Sequence, residues 1–135
     1  MIRNEKIFFE KVRNIPLDRK FVKKKGEFIT TFAKVLVKKF YNEDENLQDL
    51  MDNGNYLVNE NGEKYFVQAG YENKVKPVEE AIDYLVFVKF DDKYEVELMA
   101  EFPFDVVKDY KQGFEIDKDI MKKANVIRIK DSFIL

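Results

Sequence analysis

The chain contains neither cysteine nor histidine. Without cysteine there are no disulfides, no thiolate nucleophile and no Cys-ligated zinc. Without histidine, Ser-His and Cys-His triads are impossible, and the side chain that ordinarily titrates near neutral pH is missing along with the commonest metal ligand. Glycine is scarce, with five residues that form neither a Gly-x-Gly-x-x-Gly run nor a P-loop, which argues against nucleotide hydrolysis. No apolar run approaches the roughly 18 residues of a membrane span. The opening Met1-Ile2-Arg3-Asn4-Glu5-Lys6 lacks the apolar core that follows the charged start of a secretory signal. A cytoplasmic location without a membrane partner is the simplest expectation. No repeat, linker or low-complexity tract divides the 135 residues, so residues 1–135 are read as a single domain able to bury its own core.

Charge is plentiful and unevenly spread. Residues 1–40 carry twelve Lys or Arg against four acidic residues, and residues 41–135 carry twelve against twenty-two, so a total of −2 conceals a basic first third and an acidic remainder. Local potential rather than net charge steers partners. Lys23, Lys24, Lys25, Lys34 and Lys38 are therefore the candidates for contact with nucleic-acid phosphates, each a flexible point charge. The competing reading is a solvated surface, with Lys23-Lys24-Lys25 as a turn and Lys34, Lys38 and Lys39 lying along the outer side of a helix over apolar neighbours.

Periodicity supplies the elements. Phe28, Ile29, Phe32, Val35, Leu36 and Phe40 recur at spacings of three and four, an amphipathic helix whose apolar stripe faces a core. Asn42 with Glu45 resembles a helix cap with its reciprocal acid, and Leu47, Leu50 and Met51 would give a second short helix one apolar side. The run Glu43-Asp44-Glu45 is explained by the helix dipole rather than by a metal. From Asn55 the period shortens to that of a strand. Tyr56-Leu57-Val58 and Lys64-Tyr65-Phe66-Val67-Gln68 flank Asn61-Gly62, a hairpin signal because both residues tolerate positive φ. The nearly continuous apolar run Tyr84 to Phe90 predicts a central strand covered on both faces. Tyr94 to Leu98 alternates, predicting a strand with one wet face that Pro103 ends. Phe104 to Lys111 is read as a helix closed by Gly113, Asp117 as the cap of another through Lys123, and Val126 to Ile129 as a last strand. The final Ser132-Phe133-Ile134-Leu135 is expected to tuck into the core. None of the seven tyrosines is assigned to base stacking, since aromatics on strands mostly pack a core or pair across it.

Two segments carry a resemblance. Gly54 to Gln68, with its Asn59-Glu60-Asn61-Gly62-Glu63 bend, followed by Asp83 to Val96, is similar to the core of the PD-(D/E)xK restriction-endonuclease-like superfamily over roughly residues 26 to 130. The resemblance implies an α+β fold, an α-β-β-β-α-β core whose mixed central sheet is flanked by helices. In that family an Asp begins the hairpin, and its second strand carries an acid or Gln, one spacer and a Lys. The carboxylates hold Mg²⁺ beside the scissile phosphate while the Lys helps activate water.

This chain departs at each of those positions. Asn55 or Tyr56 stands at the first Asp, Phe66 at the second acid and Gln68 at the Lys. Phe66 cannot bind a hard cation, and a neutral amide supplies hydrogen bonds without positive charge. The resemblance thus implies a noncatalytic scaffold with no metal and no cofactor, Mg²⁺ entering only if an unrecognised site is active. Acid-x-Lys spacing recurs at Asp18–Lys20, Glu72–Lys74, Asp91–Lys93 and Asp109–Lys111, about as often as chance allows in so charged a chain. Only Glu72-Asn73-Lys74 lies just beyond the hairpin, and Asp83, Glu95 and Glu97 form the other conceivable cation set. The leading expectation is a domain that acts by binding, DNA first. A small protein-binding inhibitor, immunity factor or assembly subunit is the alternative, and an active metal-dependent nuclease with a relocated site the third.

Overall fold

The structure, a computed structural model, describes residues 19–41, 46–50, 55–78 and 80–135, with side chains from Ile29 onward. Helix α1 runs from Arg19 to Phe40. Its buried stripe is Ile29, Phe32, Ala33, Leu36 and Val37, with Phe40 packed beside them. Val35 is instead 46% exposed. Each residue advances the helix by about 100°, which sets Val35 a third of a turn from the centre of the stripe. Lys23, Lys24 and Lys25 belong to helical backbone and not to a turn, because α1 starts well before Phe28. Their side chains lie outside the described residues.

The second short helix expected after Asn42 is corrected. Gln48–Asp49 is a strand, β1, paired with the outer arm of the following hairpin as Gln48↔Val58 and Asp49↔Leu57. Leu47 is buried while Leu50 is exposed, the opposite-facing disposition that an extended segment imposes and a helical face does not. The cap at Asn42 and Glu45, the run Glu43-Asp44-Glu45, Met51 and Gly54 lie outside the described residues.

The hairpin joins β2, Tyr56–Val58, to β3, Lys64–Gly70, in the register Tyr56↔Phe66, Leu57↔Tyr65 and Val58↔Lys64. Its bend is held by one side chain. Asn59 Oδ1 accepts from the amides of Asn61 and Glu63, Gly62 N–H donates to Asn59 C=O, and Gly62 alone takes positive φ, at 81°. A second loop repeats this plan between β5, Tyr84–Phe90, and β6, Val96–Pro103. Asp91 Oδ1 accepts from Lys93 and Glu95, Tyr94 N–H donates to Asp91 C=O, and Tyr94 occupies the place of Gly62 at φ 61°. Tyr94 and Glu95 are therefore loop residues, not the start of the strand.

Among the described residues six strands form a mixed sheet in the order β1-β2-β3-β5-β6-β8, where β8 is Asn125–Ile129. Strands β3 and β5 run parallel and every other neighbour runs antiparallel. Strand β5 is buried on both faces, as its apolar run requires. Strand β6 is buried at Leu98, Met99 and Ala100, so the one-wet-face reading is corrected: layers cover both of its sides. One layer is α1, which lies over β3 and meets Tyr65, Val67, Val86, Val88, Phe90 and Met99. On that face Phe32 stacks on Phe90 with ring centroids 5.5 Å apart, and the register partners Tyr65 and Tyr84 stack at 4.9 Å.

The opposite face carries Leu85, Phe87, Leu98, Ala100 and Phe102 beneath a two-stranded ladder and two short helices. The ladder pairs β4, Lys74–Val75, with β7, Phe114–Glu115. Pro103 sits at the N-cap of α2, Phe104–Val107, which is shorter than the span expected to Lys111; the chain then turns through Tyr110 to Gly113, where φ is 82°. Asp117 caps α3, Lys118–Met121, accepting from Ile120 N–H at 2.8 Å. Phe133 tucks against this layer as expected, but Ile134 is 82% exposed and Leu135 is exposed too. The architecture is α+β, a mixed sheet flanked by helices.

Candidate functional site

The hairpin carries the positions that the sequence resemblance marks as a site. Asn55 is exposed and its carbonyl accepts from Val67 N–H at 2.8 Å, which extends the β2–β3 ladder by one bond. Tyr56 and Phe66 are directly opposite one another, and their rings pack with centroids 5.0 Å apart. The Tyr56 hydroxyl donates to Glu80 at 3.0 Å; burial first, and then the Glu80 carboxylate, raise its pKa above the ordinary tyrosine value. Gln68 is bonded through both ends of its amide to one residue. Its Nε2 donates to Lys76 C=O and its Oε1 accepts from Lys76 N–H, both at 2.9 Å. This paired amide stitches β3 to the segment leading out of β4. Tyr56 and Phe66 thus hold each other through their rings, Asn55 is tied to Val67 and Gln68 to Lys76, and none of the four positions is itself a carboxylate.

The lysine candidates lie elsewhere. Tyr56 and Phe66 pack against the core of the face opposite α1, so these two rings and the helix sit on opposite sides of the sheet. Lys34 and Lys38 converge on Asp49 of β1, with Nζ to carboxylate oxygen distances of 3.0 and 2.7 Å. Lys34 has only 13% of its side chain exposed. The hydrogen bond from Lys38 chiefly, with further help from Lys34, outweighs burial and holds the Asp49 carboxyl below the usual range. Asp49 was not singled out in the sequence, because the pairing spans the gap between a helix and a strand that no local period connects. Lys23, Lys24 and Lys25 share the first half of the same helix.

The alternative acidic sets do not converge. Asp83 accepts from Lys64 N–H at 2.7 Å, Glu97 pairs with Lys89, and Glu95 pairs with Lys130 at 2.7 Å. Glu72 is exposed beside the β4–β7 ladder, where Lys74 lies opposite Glu115. Among the described residues no three acidic side chains group as a metal ion would require.

Asp91 is the most constrained acid of the β5–β6 loop. Burial opposes its charge, but the Glu95 and Lys93 amides and the Lys130 ammonium outweigh burial and hold its pKa below the ordinary 3.8. A depressed folded-state pKa stabilises the fold fully above the unfolded value, and that contribution disappears as pH falls through the folded value. Asp91→Asn keeps the two amide bonds, as Asn59 does in the twin loop, and loses the Lys130 pair. Its cost near pH 7 is expected to be under about 1.5 kcal/mol, and its unfolding free energy should fall less steeply below pH 4 than that of the parent. Urea melts at pH 7 and pH 3 measure both; an equal acid slope in the two proteins would refute the assignment.

No protein-family model matches the chain, and a search of curated proteins returned no match.

Proposed function

We propose that this chain is a noncatalytic relative of the PD-(D/E)xK restriction-endonuclease-like superfamily that acts by binding, with duplex DNA as its ligand. What supports the noncatalytic half is the hairpin: Asn55 or Tyr56, and Phe66, stand where the resemblance expects acids, the Tyr56 and Phe66 rings pack on each other, and Gln68 is bonded to Lys76. A hard cation needs oxygen ligands, and these residues offer no carboxylate.

The binding half rests on α1. Its 22 residues contain eight Lys or Arg and one acid, Glu27. Such a helix attracts phosphates without reading bases. Asp49 tempers it by occupying Lys34 and Lys38.

The test is fluorescence anisotropy with a labelled duplex at about 50 and 200 mM salt, where phosphate-driven affinity must fall steeply. Combining Lys23→Ala, Lys24→Ala and Lys25→Ala should flatten the log–log salt slope by up to about 3, roughly 0.9 for each phosphate no longer neutralised. Asp49→Asn releases Lys34 and Lys38 and should tighten binding about threefold or more. No saturable binding at the lower salt overturns the DNA reading. Mg²⁺-dependent cleavage abolished by Glu72→Ala or Glu97→Ala overturns the noncatalytic one.

One observation favours a protein partner instead. Val126 and Ile129 are exposed on β8, the outermost strand on its side of the sheet among the described residues, and Ile134 and Leu135 are exposed just after it. An inhibitor, immunity factor or assembly subunit would use such a patch, and loss of the DNA reading promotes it.

A further inference from the structure

The two loops of common plan differ at one position. Where the hairpin loop has Gly62, the β5–β6 loop has Tyr94 in the left-handed region at φ 61°. A bulky residue is disfavoured there, and glycine is the residue that fits without strain. The Tyr94 ring meets Tyr71 edge-on with centroids 6.3 Å apart, and the two hydroxyls are hydrogen-bonded to each other. Together with Phe90, Asp91, Asp92 and Glu97 they line a cleft of about 490 Å³, within the size range of small-molecule sites.

The lining has a definite chemistry. Aromatic faces attract cations through their quadrupole, most strongly where water is partly excluded. Three carboxylates share the same walls. Lys130 meets Asp91 at 3.2 Å and Lys89 pairs with Glu97, whereas Asp92 makes no hydrogen bond or ion pair among the described residues. With Asp91 and Glu97 paired to lysines, Asp92 is the carboxylate left to repel an anion or to be stranded by a neutral apolar group. Burial and the bond to Tyr94 push the Tyr71 hydroxyl above the ordinary tyrosine range, so the ring stays neutral across physiological pH.

We propose that this cleft binds an organic ammonium group, its charge held between the Tyr71 and Tyr94 rings and the Asp92 carboxylate. The ammonium belongs either to a free small amine or to a lysine side chain. The site is separate from the hairpin positions and from α1, so it stands or falls independently of the DNA reading.

The chain has no tryptophan, which leaves tyrosine emission as a direct probe. The full-length protein is titrated with choline, with its neutral isostere 3,3-dimethyl-1-butanol, and with a blocked Gly-Lys-Gly peptide and its acetyl-lysine form. Saturable binding of choline or of the lysine peptide, without binding of its uncharged counterpart, is the expected result. The tighter of the two identifies the source. Tyr94→Gly should keep the fold, since the twin loop has glycine at that place, and should weaken cation binding about fivefold or more. Asp92→Asn should weaken it in the same sense. Equal binding of charged and neutral ligands, no saturation at millimolar concentration, or unchanged affinity in a folded Tyr94→Gly protein would overturn the proposal.

Discussion

Phe90→Ala is expected to lower the unfolding free energy by roughly 3–5 kcal/mol, the range for removing a large buried aromatic. Phe90 is fully buried at the end of β5 and stacks on Phe32 of α1. The substitution removes burial area and packing at the seam that holds helix to sheet, and it leaves a void the flanking Val88 and Met99 cannot fill without leaving their own contacts. A domain of ordinary stability has about 5–15 kcal/mol to lose, so the variant should melt at markedly lower urea or lose its cooperative transition. Phe90→Leu keeps most of the volume and should cost less than half as much. A midpoint for Phe90→Ala within error of the parent would mean that α1 does not pack on this ring.

Gly113→Ala is expected to cost roughly 2–4 kcal/mol, combining left-handed backbone strain with a backbone clash. At φ 82° an added Cβ would fall inside contact distance of the Val75 carbonyl oxygen and 3.2 Å from Pro77 N and Cδ. Those are main-chain and ring atoms with no rotamer to retreat into. The neighbouring pair Val75↔Phe114 anchors the β4–β7 ladder, so the strain reaches the layer covering the second core. Gly62→Ala is the internal control. Its φ is 81° yet nothing lies within 4 Å of the new Cβ, so only the conformational cost of about 1 kcal/mol applies. Thermal or urea melts of the two variants measured together isolate the clash. Equal losses would show that the close approach at Val75 is absent in solution.

Much of the fold is legible from neighbours in the chain. The bend at Asn59 to Glu63 and the alternation around it identify the β2–β3 hairpin and its register, because the partners are a few residues apart and the side-chain period is two. The apolar run of β5 announces a strand covered on both faces, and it occupies the interior of the sheet. Errors arose where tertiary context outvoted local preference. Leu47 and Leu50 suited a helical face, but β2 offered Gln48 and Asp49 a backbone ladder, and pairing won. Val35 matched the helical stripe by spacing while Ala33 and Val37 faced the sheet. Phe104 to Lys111 had helical spacing, yet only Phe104–Val107 is helical before the chain turns toward Gly113 and the β4–β7 ladder.

Residue chemistry alone excluded disulfides, thiolate and histidine catalysis, and it set the polarity of charge along the chain, since those depend only on which side chains exist. The identity of the hairpin residues likewise declared the site-like positions poor in charge before any contact was visible. Three-dimensional packing decided what those side chains touch. It spent Gln68 on Lys76, drew Lys34 and Lys38 onto Asp49, set the Tyr56 and Phe66 rings and α1 on opposite faces, and gathered Tyr71, Tyr94 and Asp92 around one cleft. Each of these joins residues from different elements, and a periodic pattern reports the face a residue occupies without naming the partner waiting there.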